Sequence, residues 1–313
     1  MSILITGGCG YVGTKLTEAA LRRTRHDVTV LDAQWFGNHL QPHPRLTVLK
    51  HDLRQIDEID LAPYDAIFHL ANIANDPSVE LNPYASWEVN VLATMRLVDR
   101  AARQGVAQIV FASSASVYGV KSEPDVTEDL ELVPISEYNK TKMVAERVLL
   151  SYAEDMCVQI IRPATVCGYS PRMRLDVSVN MLTMQALTRE HITVFGGNQT
   201  RPNIHIDDIT DVYLFMLQHP EHTGIYNAGF ENISIMQIAE RVLEHAPAKI
   251  TVSASNDPRS YRVNSDRLLA TGFRPKKTVN DAIKELVHKF RSGELKDEER
   301  FHNLKWMQRE VVR

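Results

Sequence analysis

Cysteine is scarce and shows no pairing pattern in this sequence. Cys9, Cys157 and Cys167 are odd in number and form no Cys-x-x-Cys, which argues against a disulfide framework or a structural zinc site and fits a reducing, cytoplasmic setting. Long apolar runs are also missing: no stretch approaches the roughly 20 residues of a membrane span. The start, Met1 to Thr6, has no basic flank and turns into glycines, so it reads as neither a signal peptide nor an anchor. Nor is there an excess of positive charge. A formal net charge of -4 gives no long-range attraction for nucleic acid or an anionic membrane surface, although local Arg clusters can still hold a small phosphate-bearing molecule. Internal repeats, low-complexity tracts and Gly/Ser- or Pro-rich linkers do not occur. What remains is a 313-residue chain, 44% hydrophobic and 24% charged, with the composition of one large globular domain or two intimately packed ones.

The first half alternates short apolar runs with amphipathic stretches, the pattern of repeated βα units and a parallel sheet covered by helices. Strands are predicted at 2–6, 28–31, 46–49, 66–70, 108–112 and 158–162, with helices at 12–23, 83–104 and 137–153. Beyond Arg162-Pro163 the chain carries more loops and more Arg, with helices predicted near 177–189, 207–218, 234–245 and 279–291. Ile204 to Asp208 reads as one more strand leading into a capped helix, so this smaller region is expected to rest on the first half and frame a cleft. The tail from Gly293, with Phe301, Leu304 and Trp306, reads as a packed helix or a partner-binding segment.

Gly7, Gly10 and Gly13 fall between the first predicted strand and the first predicted helix, with Tyr11 and Val12 between the last two. Glycines in that place permit a tight turn, close backbone approach to a pyrophosphate and close packing of helix on strand, with the anion on the helix's positive end. Asp32 ends the next strand nineteen residues past Gly13, where a carboxylate can accept from adenosine ribose hydroxyls and repel a 2′-phosphate. No Arg occupies 33–38, so NAD is expected and not NADP.

Tyr138 and Lys142 lie four apart near the start of a predicted helix, on one face. Such a cation can depress a phenol's pKa from about 10 towards neutrality, giving a base for a hydroxyl proton. The pair is weak alone, and a second one, Tyr11 and Lys15, lies in the phosphate loop and its helix, away from any substrate. Ser113, Ser114 and Ser116 follow the strand at 108–112, so their hydroxyls should share a crevice with the nicotinamide.

With these motifs in order, the chain resembles the extended short-chain dehydrogenase/reductases of the nucleotide-sugar epimerase and dehydratase family, over nearly its whole length. The likeness rests on Thr6 to Gly13, Asp32, Asp52-Leu53, His69-Leu70-Ala71, Asn90, Ser113 to Gly119, Tyr138 to Lys142 and Arg162 to Gly168. It implies a Rossmann-type doubly wound parallel sheet over residues 1–165 and a smaller carboxy-terminal substrate-binding region, 166–313, of which parts near 204–230 return to the first. It further implies Tyr138 as base, Lys142 as nicotinamide-ribose ligand and Ser114, with Ser116, at the reacting sugar hydroxyl. Asp52 and Leu53 would meet the adenine, Leu70, Ala71 and Asn90 the cofactor's middle, and Pro163 to Val166 the nicotinamide. Asn180, Phe195, Arg201, Arg259 and Arg262 resemble residues that hold the nucleotide diphosphate, and a homodimer packed through 83–104 and 137–153 is implied as well.

Three reactions compete. The resembling 4,6-dehydratases carry an Asp-Glu pair directly after the strand-end Ser or Thr, and here Ala115 and Ser116 occupy those places, which disfavours dehydration. A 4-epimerase needs only the base, the hydroxyl and NAD. The stretch Cys167 to Asp176 departs from the usual epimerase loop and looks most like a branch that includes GDP-heptose 4-dehydrogenases, so a 4-dehydrogenase or ketoreductase is the alternative. Arg172 and Arg174 in that stretch either recognise sugar or phosphate or pair with Asp176. A catalytically idle NAD-binding protein is the reading from another class, disfavoured because both Tyr138 and Lys142 are present.

Overall fold

The structure, a computed structural model, describes residues 1–255 and 260–310. Its main sheet contains β1 (Ser2–Thr6), β2 (Asp27–Asp32), β3 (Leu46–Lys50), β4 (Ala66–His69), β5 (Gln108–Ala112) and β6 (Cys157–Pro163). In the remainder of the chain lie β7 (Thr165–Cys167), β8 (His191–Phe195), β9 (Thr200–His205), β10 (Gly224–Ala228), β11 (Glu231–Ser234) and β12 (Lys249–Ser253). The order across the large sheet is β10-β6-β5-β4-β1-β2-β3, with every neighbouring pair parallel. The order reverses after β1, leaving a crevice at the carboxyl ends of β1 and β4 where a doubly wound sheet takes its ligand.

Residue alternation explains why both faces are covered. Ile3 and Ile5 point into a core shared with the helices Tyr11–Arg23 and Ile206–Gln218, whereas Leu4 points into a second core under the helices Ala93–Arg103 and Glu137–Leu150. Strand β5 repeats the pattern, with Val110 on one side and Ile109 and Phe111 on the other. Such two-sided burial is what produces near-continuous apolar strands and not alternating ones. The segment around 204–230 supplies both a covering helix and the edge strand β10, so the sheet is completed by residues far along the chain.

A third core joins the helices Ser178–Arg189, Ile235–Leu243 and Val279–Arg291 to β8 and β12, and β7, β9 and β11 form a small mixed sheet. The helix predicted at 83–104 is not one regular helix. Pro83–Trp87 runs into a π-helical turn at Glu88–Leu92 before Ala93–Arg103 resumes α geometry. Within that turn, Asn90 accepts from the Ile73 N–H at 2.8 Å and donates to the Ile73 carbonyl at 3.1 Å and to the Thr141 hydroxyl at 3.2 Å. The wider turn carries Asn90 to the loop after β4, a use typical of π-bulges near functional sites.

Candidate active site

A cleft of about 720 Å³ opens at the carboxyl edge of the sheet, running from Asp32 and Asp52 to Arg201 and Tyr261. At one end, Gly7 takes a positive φ of 75°, and a Cβ there would lie 2.6 Å from the Ala71 nitrogen. A Cβ on Gly13 would lie 2.1 Å from the Gly7 carbonyl oxygen, so only glycine lets the helix Tyr11–Arg23 start against β1. No side chain caps that helix and its first turn holds no acid, which leaves its N–H groups and dipole open to an anion. The Asp32 carboxylate accepts from the N–H groups of Cys9 at 2.9 Å and Gln34 at 2.7 Å; burial nevertheless raises its pKa. Burial opposes the ionisation of Asp52 too, but Arg54, at 2.7 Å, outweighs it and holds that carboxyl below the usual range. Val12, Leu53, Leu70 and Ala71 complete this wall. These features fit a dinucleotide.

At the other end, Ser114 caps a 3-10 turn over Ala115–Tyr118, its hydroxyl 2.8 Å from that of Ser116. Tyr138 and Lys142 project from the helix Glu137–Leu150, which starts at the capping side chain of Ser136. Lys142 is 2% exposed and donates to the Ala112 carbonyl at 2.7 Å, with its ammonium 4.7 Å from the Phe111 ring centre. Burial draws its pKa down to about 7, against the support of Glu146.

The phenol departs from the sequence expectation of a pKa depressed by Lys142. Burial pushes Tyr138 up to about 12, opposed by the charge of Arg174 and a hydrogen bond with Ser114, while Asp76 adds to the rise. Burial explains the difference: at the phenol it outweighs the favourable charge and hydrogen bond, and Lys142, itself buried, holds its ammonium against the Ala112 carbonyl. In the cofactor-free protein, then, Tyr138 stays neutral where an ordinary phenol ionises near pH 10. Tyrosinate absorbance, compared between wild type and Tyr138→Phe, should show no contribution from this residue by about pH 10, and an earlier ionisation would contradict the burial argument.

Behind these groups lies a buried ionic network. Arg162 donates through Nε and Nη2 to Glu146 at 2.9 and 2.6 Å, and both side chains are 2% exposed. The Arg162 Nη1 reaches the Tyr118 hydroxyl at 2.7 Å, that hydroxyl donates to Asn227 at 2.8 Å, and Ser113 donates to Glu146. The network ties β5, β6, β10 and the Tyr138 helix together directly behind the serines.

The cleft brings together Gly7, Gly10, Tyr11, Val12, Gly13, Asp32, Asp52, Leu53, Leu70, Ala71, Ser114, Ser116, Tyr138, Lys142, Pro163, Val166 and Arg201. Tyr11 spends its hydroxyl on the Gly168 carbonyl at 2.7 Å, and Lys15 pairs with Asp207 at 2.8 Å, so that pair lies apart from the chemistry. Other expected ligands stand elsewhere. Asn180 is fully buried, bonded to Tyr11, Gly168 and the Arg174 carbonyl, and does not line the cleft. Asn90 likewise braces the Ile73 backbone from behind the wall. Phe195 is 54% exposed and Arg262 is also exposed, neither in the cleft wall, whereas the neighbour Tyr261 is in it. Arg259 lies outside the described residues. Sequence reasoning missed Tyr261, Asp76, Trp35, Phe36, Asn303 and Leu304, all in the wall. It left open Arg172 and Arg174, whose only signal was the unusual loop after Gly168; Arg174 pairs with Asp176 at 3.0 Å and faces the cleft as well.

Comparison with known proteins places this geometry. A protein of Bacillus subtilis (strain 168) named as an uncharacterized UDP-glucose epimerase, YtcB, is 30% identical over 274 residues, covering 82% of this chain and 85% of its own length. UDP-glucuronic acid decarboxylase 1 of Xenopus tropicalis is 27% identical over 310 residues, covering 92% of this chain and 72% of its own length. The UDP-glucose 4-epimerase of Thermus thermophilus, solved with NAD, shares the fold at a TM-score of 0.81 and 24% identity, over 93% of this chain and 99% of its own. The family model for the NAD dependent epimerase/dehydratase family matches residues 3–229. A nucleotide-sugar-modifying enzyme that uses NAD is what this cleft is built to be, and the chain belongs to the NAD dependent epimerase/dehydratase family.

Proposed function

We propose that the enzyme is a nucleotide-sugar 4-epimerase acting through a transient 4-keto sugar. The observation that carries this reading is the pairing of Ser114 and Tyr138 at a strand end where Ala115, 1% exposed, and Ser116 stand in place of a carboxylate pair. NAD supplies the acceptor and donor of hydride. Ser114 orients the C4 hydroxyl, Tyr138 takes its proton, and Lys142, fixed on Ala112, adds positive charge at the nicotinamide ribose and tunes Tyr138 once the ribose is in place. Turning of the ketone in the cleft exposes its other face to the returning hydride, and Tyr138 gives the proton back to the C4 oxygen, which completes inversion. The carboxylates near the base are already engaged: Asp76 accepts from Ser136 at 2.5 Å, and Asp176 holds Arg174 and Asn75. Among the described residues this leaves no uncommitted acid–base pair for a 4,6-elimination.

The nucleotide diphosphate falls to Arg201 in the cleft wall, with residues 166–313, apart from 204–230, as the substrate-binding part. The test is a panel of UDP-, GDP-, CDP- and dTDP-sugars with product identification by NMR. A C4 epimer is expected; a 4-keto-6-deoxy product would sink the proposal, net accumulation of a 4-keto sugar with NADH would support the dehydrogenase reading, and no turnover would favour an idle NAD-binding protein. A second reading is favoured by Arg174, a cation beside the base, together with relatives named for UDP-glucuronic acid. A 4-ketone lies β to the carboxylate of a uronosyl group, so loss of carbon dioxide is open to the same first step, and a pentosyl product from UDP-glucuronic acid identifies it.

The three free cysteines favour the cytoplasm as the working compartment. A homodimer is proposed through the helical stretches 83–104 and 137–153, the first of which carries Tyr84, Leu92 and Met95 at 87%, 48% and 44% exposure. Light scattering should give twice 35.5 kDa, and Met95→Glu should shift it towards one chain. A wild-type mass of a single chain would rule the dimer out.

A further inference from the structure

Arg172 has no place in the reaction outlined above, yet it is a buried cleft residue with no ion-pair partner among the described residues. It is 2% exposed, and its guanidinium lies 4.0 Å from the Phe36 ring centre. Of five N–H donors, one meets the Met173 carbonyl at 3.1 Å and one the Asn303 side chain at 2.7 Å, while Nε is buried without a partner. Among the described residues no carboxylate comes within ion-pairing distance of it, and Asp32 and Asp176 act on it only from farther off. Burial with Arg174 close by pulls its pKa down to about 9, which marks an uncompensated positive charge. A buried, unpaired guanidinium is expensive to keep and is found where an anion is to be bound.

Its surroundings say which anion. Arg172 lines the cleft with Asp32, Trp35 and Phe36, in a lining that also includes Gly10 and Tyr11 of the phosphate loop. It is held from the far side by the carboxy-terminal segment: Asn303 grips the guanidinium, Trp306 donates to the Trp35 carbonyl at 2.7 Å, and the Leu175 N–H donates to the Phe301 carbonyl at 2.8 Å. We propose that Arg172 is a ligand of the cofactor's diphosphate, facing the glycine loop from the opposite wall, and that Asn303 is its positioning residue, so that the helix Asn303–Glu310 helps retain NAD.

The test uses the full chain stripped of cofactor, with NAD and ADP-ribose titrated by calorimetry and adenosine followed by ligand-observed NMR. Arg172→Met should weaken NAD and ADP-ribose by about 30-fold or more, leave adenosine unchanged, and keep or raise the melting temperature of the cofactor-free protein, because a buried unpaired charge is gone. Arg172→Lys, which keeps charge without the fork, should fall between. Asn303→Ala should weaken NAD by about 5-fold in the wild type and by nothing further in the Arg172→Met background. An NAD affinity within about 3-fold of wild type, or an equal loss for adenosine, overturns the assignment, as does a lower melting temperature with unchanged affinity, the mark of a purely structural role. If Arg172→Met does not fold, the Arg172→Lys and Asn303→Ala titrations decide by the same criteria.

Discussion

Tyr138→Phe should lower turnover by about a hundred- to ten-thousand-fold while the protein still binds NAD and melts at its usual temperature. The ring itself packs beside Ile73, Val79, Val89 and Met307, and phenylalanine preserves that packing, so only the ionisable oxygen is lost. Neither near neighbour can replace it. The Ser114 hydroxyl is engaged with Ser116, and the Lys142 ammonium is committed to the Ala112 carbonyl. The substrate's KM should change little, because the loss falls on a step and not on binding. Initial rates together with cofactor content after purification check this, and wild-type turnover would mean that another group takes the proton.

Glu146→Leu is expected to cost about 3–5 kcal/mol of stability, which for a chain of this size lowers the melting temperature by on the order of 10 °C. The cause is the charge left behind. Arg162 sits at 2% exposure with two of its donors on Glu146, and removing the carboxylate leaves a guanidinium that water cannot reach. The double change Glu146→Leu with Arg162→Met should recover most of the loss, since the desolvation penalty disappears with both charges. Thermal unfolding followed by circular dichroism measures both. A double variant no more stable than the single one would show that the network acts through Tyr118 and Asn227 rather than through the ion pair. Activity should suffer in either variant, because Glu146 also holds Ser113 and supports the charge of Lys142.

The sheet was legible in the sequence because its signals are local. Ile3 to Ile5 or Ile109 to Phe111 are apolar on both faces, and the glycines at 7, 10 and 13 sit where strand meets helix. Strand β10 carries no such signal: its sequence is short and mixed, and it is a strand because β6 offers an edge. The π-helical turn was also invisible, since Glu88 to Leu92 suit an α-helix and only the distant Ile73 backbone draws Asn90 out of register. At the site, residue types were readable and their partners were not. Spacing alone assigns Lys142 to Tyr138, but its acceptor is a carbonyl thirty residues earlier in the chain. Motif alone puts Phe195 and Arg262 at a wall that Tyr261 occupies instead, a difference of side-chain direction that linear spacing does not encode. Arg172 could only be weighed once Asn303, 131 residues later, was seen against it.

The bond from Trp306 to the Trp35 carbonyl spans 271 residues of chain. During synthesis at about 5–20 residues per second, the loop carrying Trp35 leaves the ribosome on the order of 15 to 50 s before the indole that closes on it. Over that interval the phosphate loop and Asp32 are already made, so the nascent chain can present a half-built nucleotide pocket with one side open to solvent. A ribosome-bound chain stalled before residue 300 would therefore lack both the Asn303 amide on Arg172 and the Trp306 indole on the Trp35 carbonyl, the two groups that close that side of the cleft.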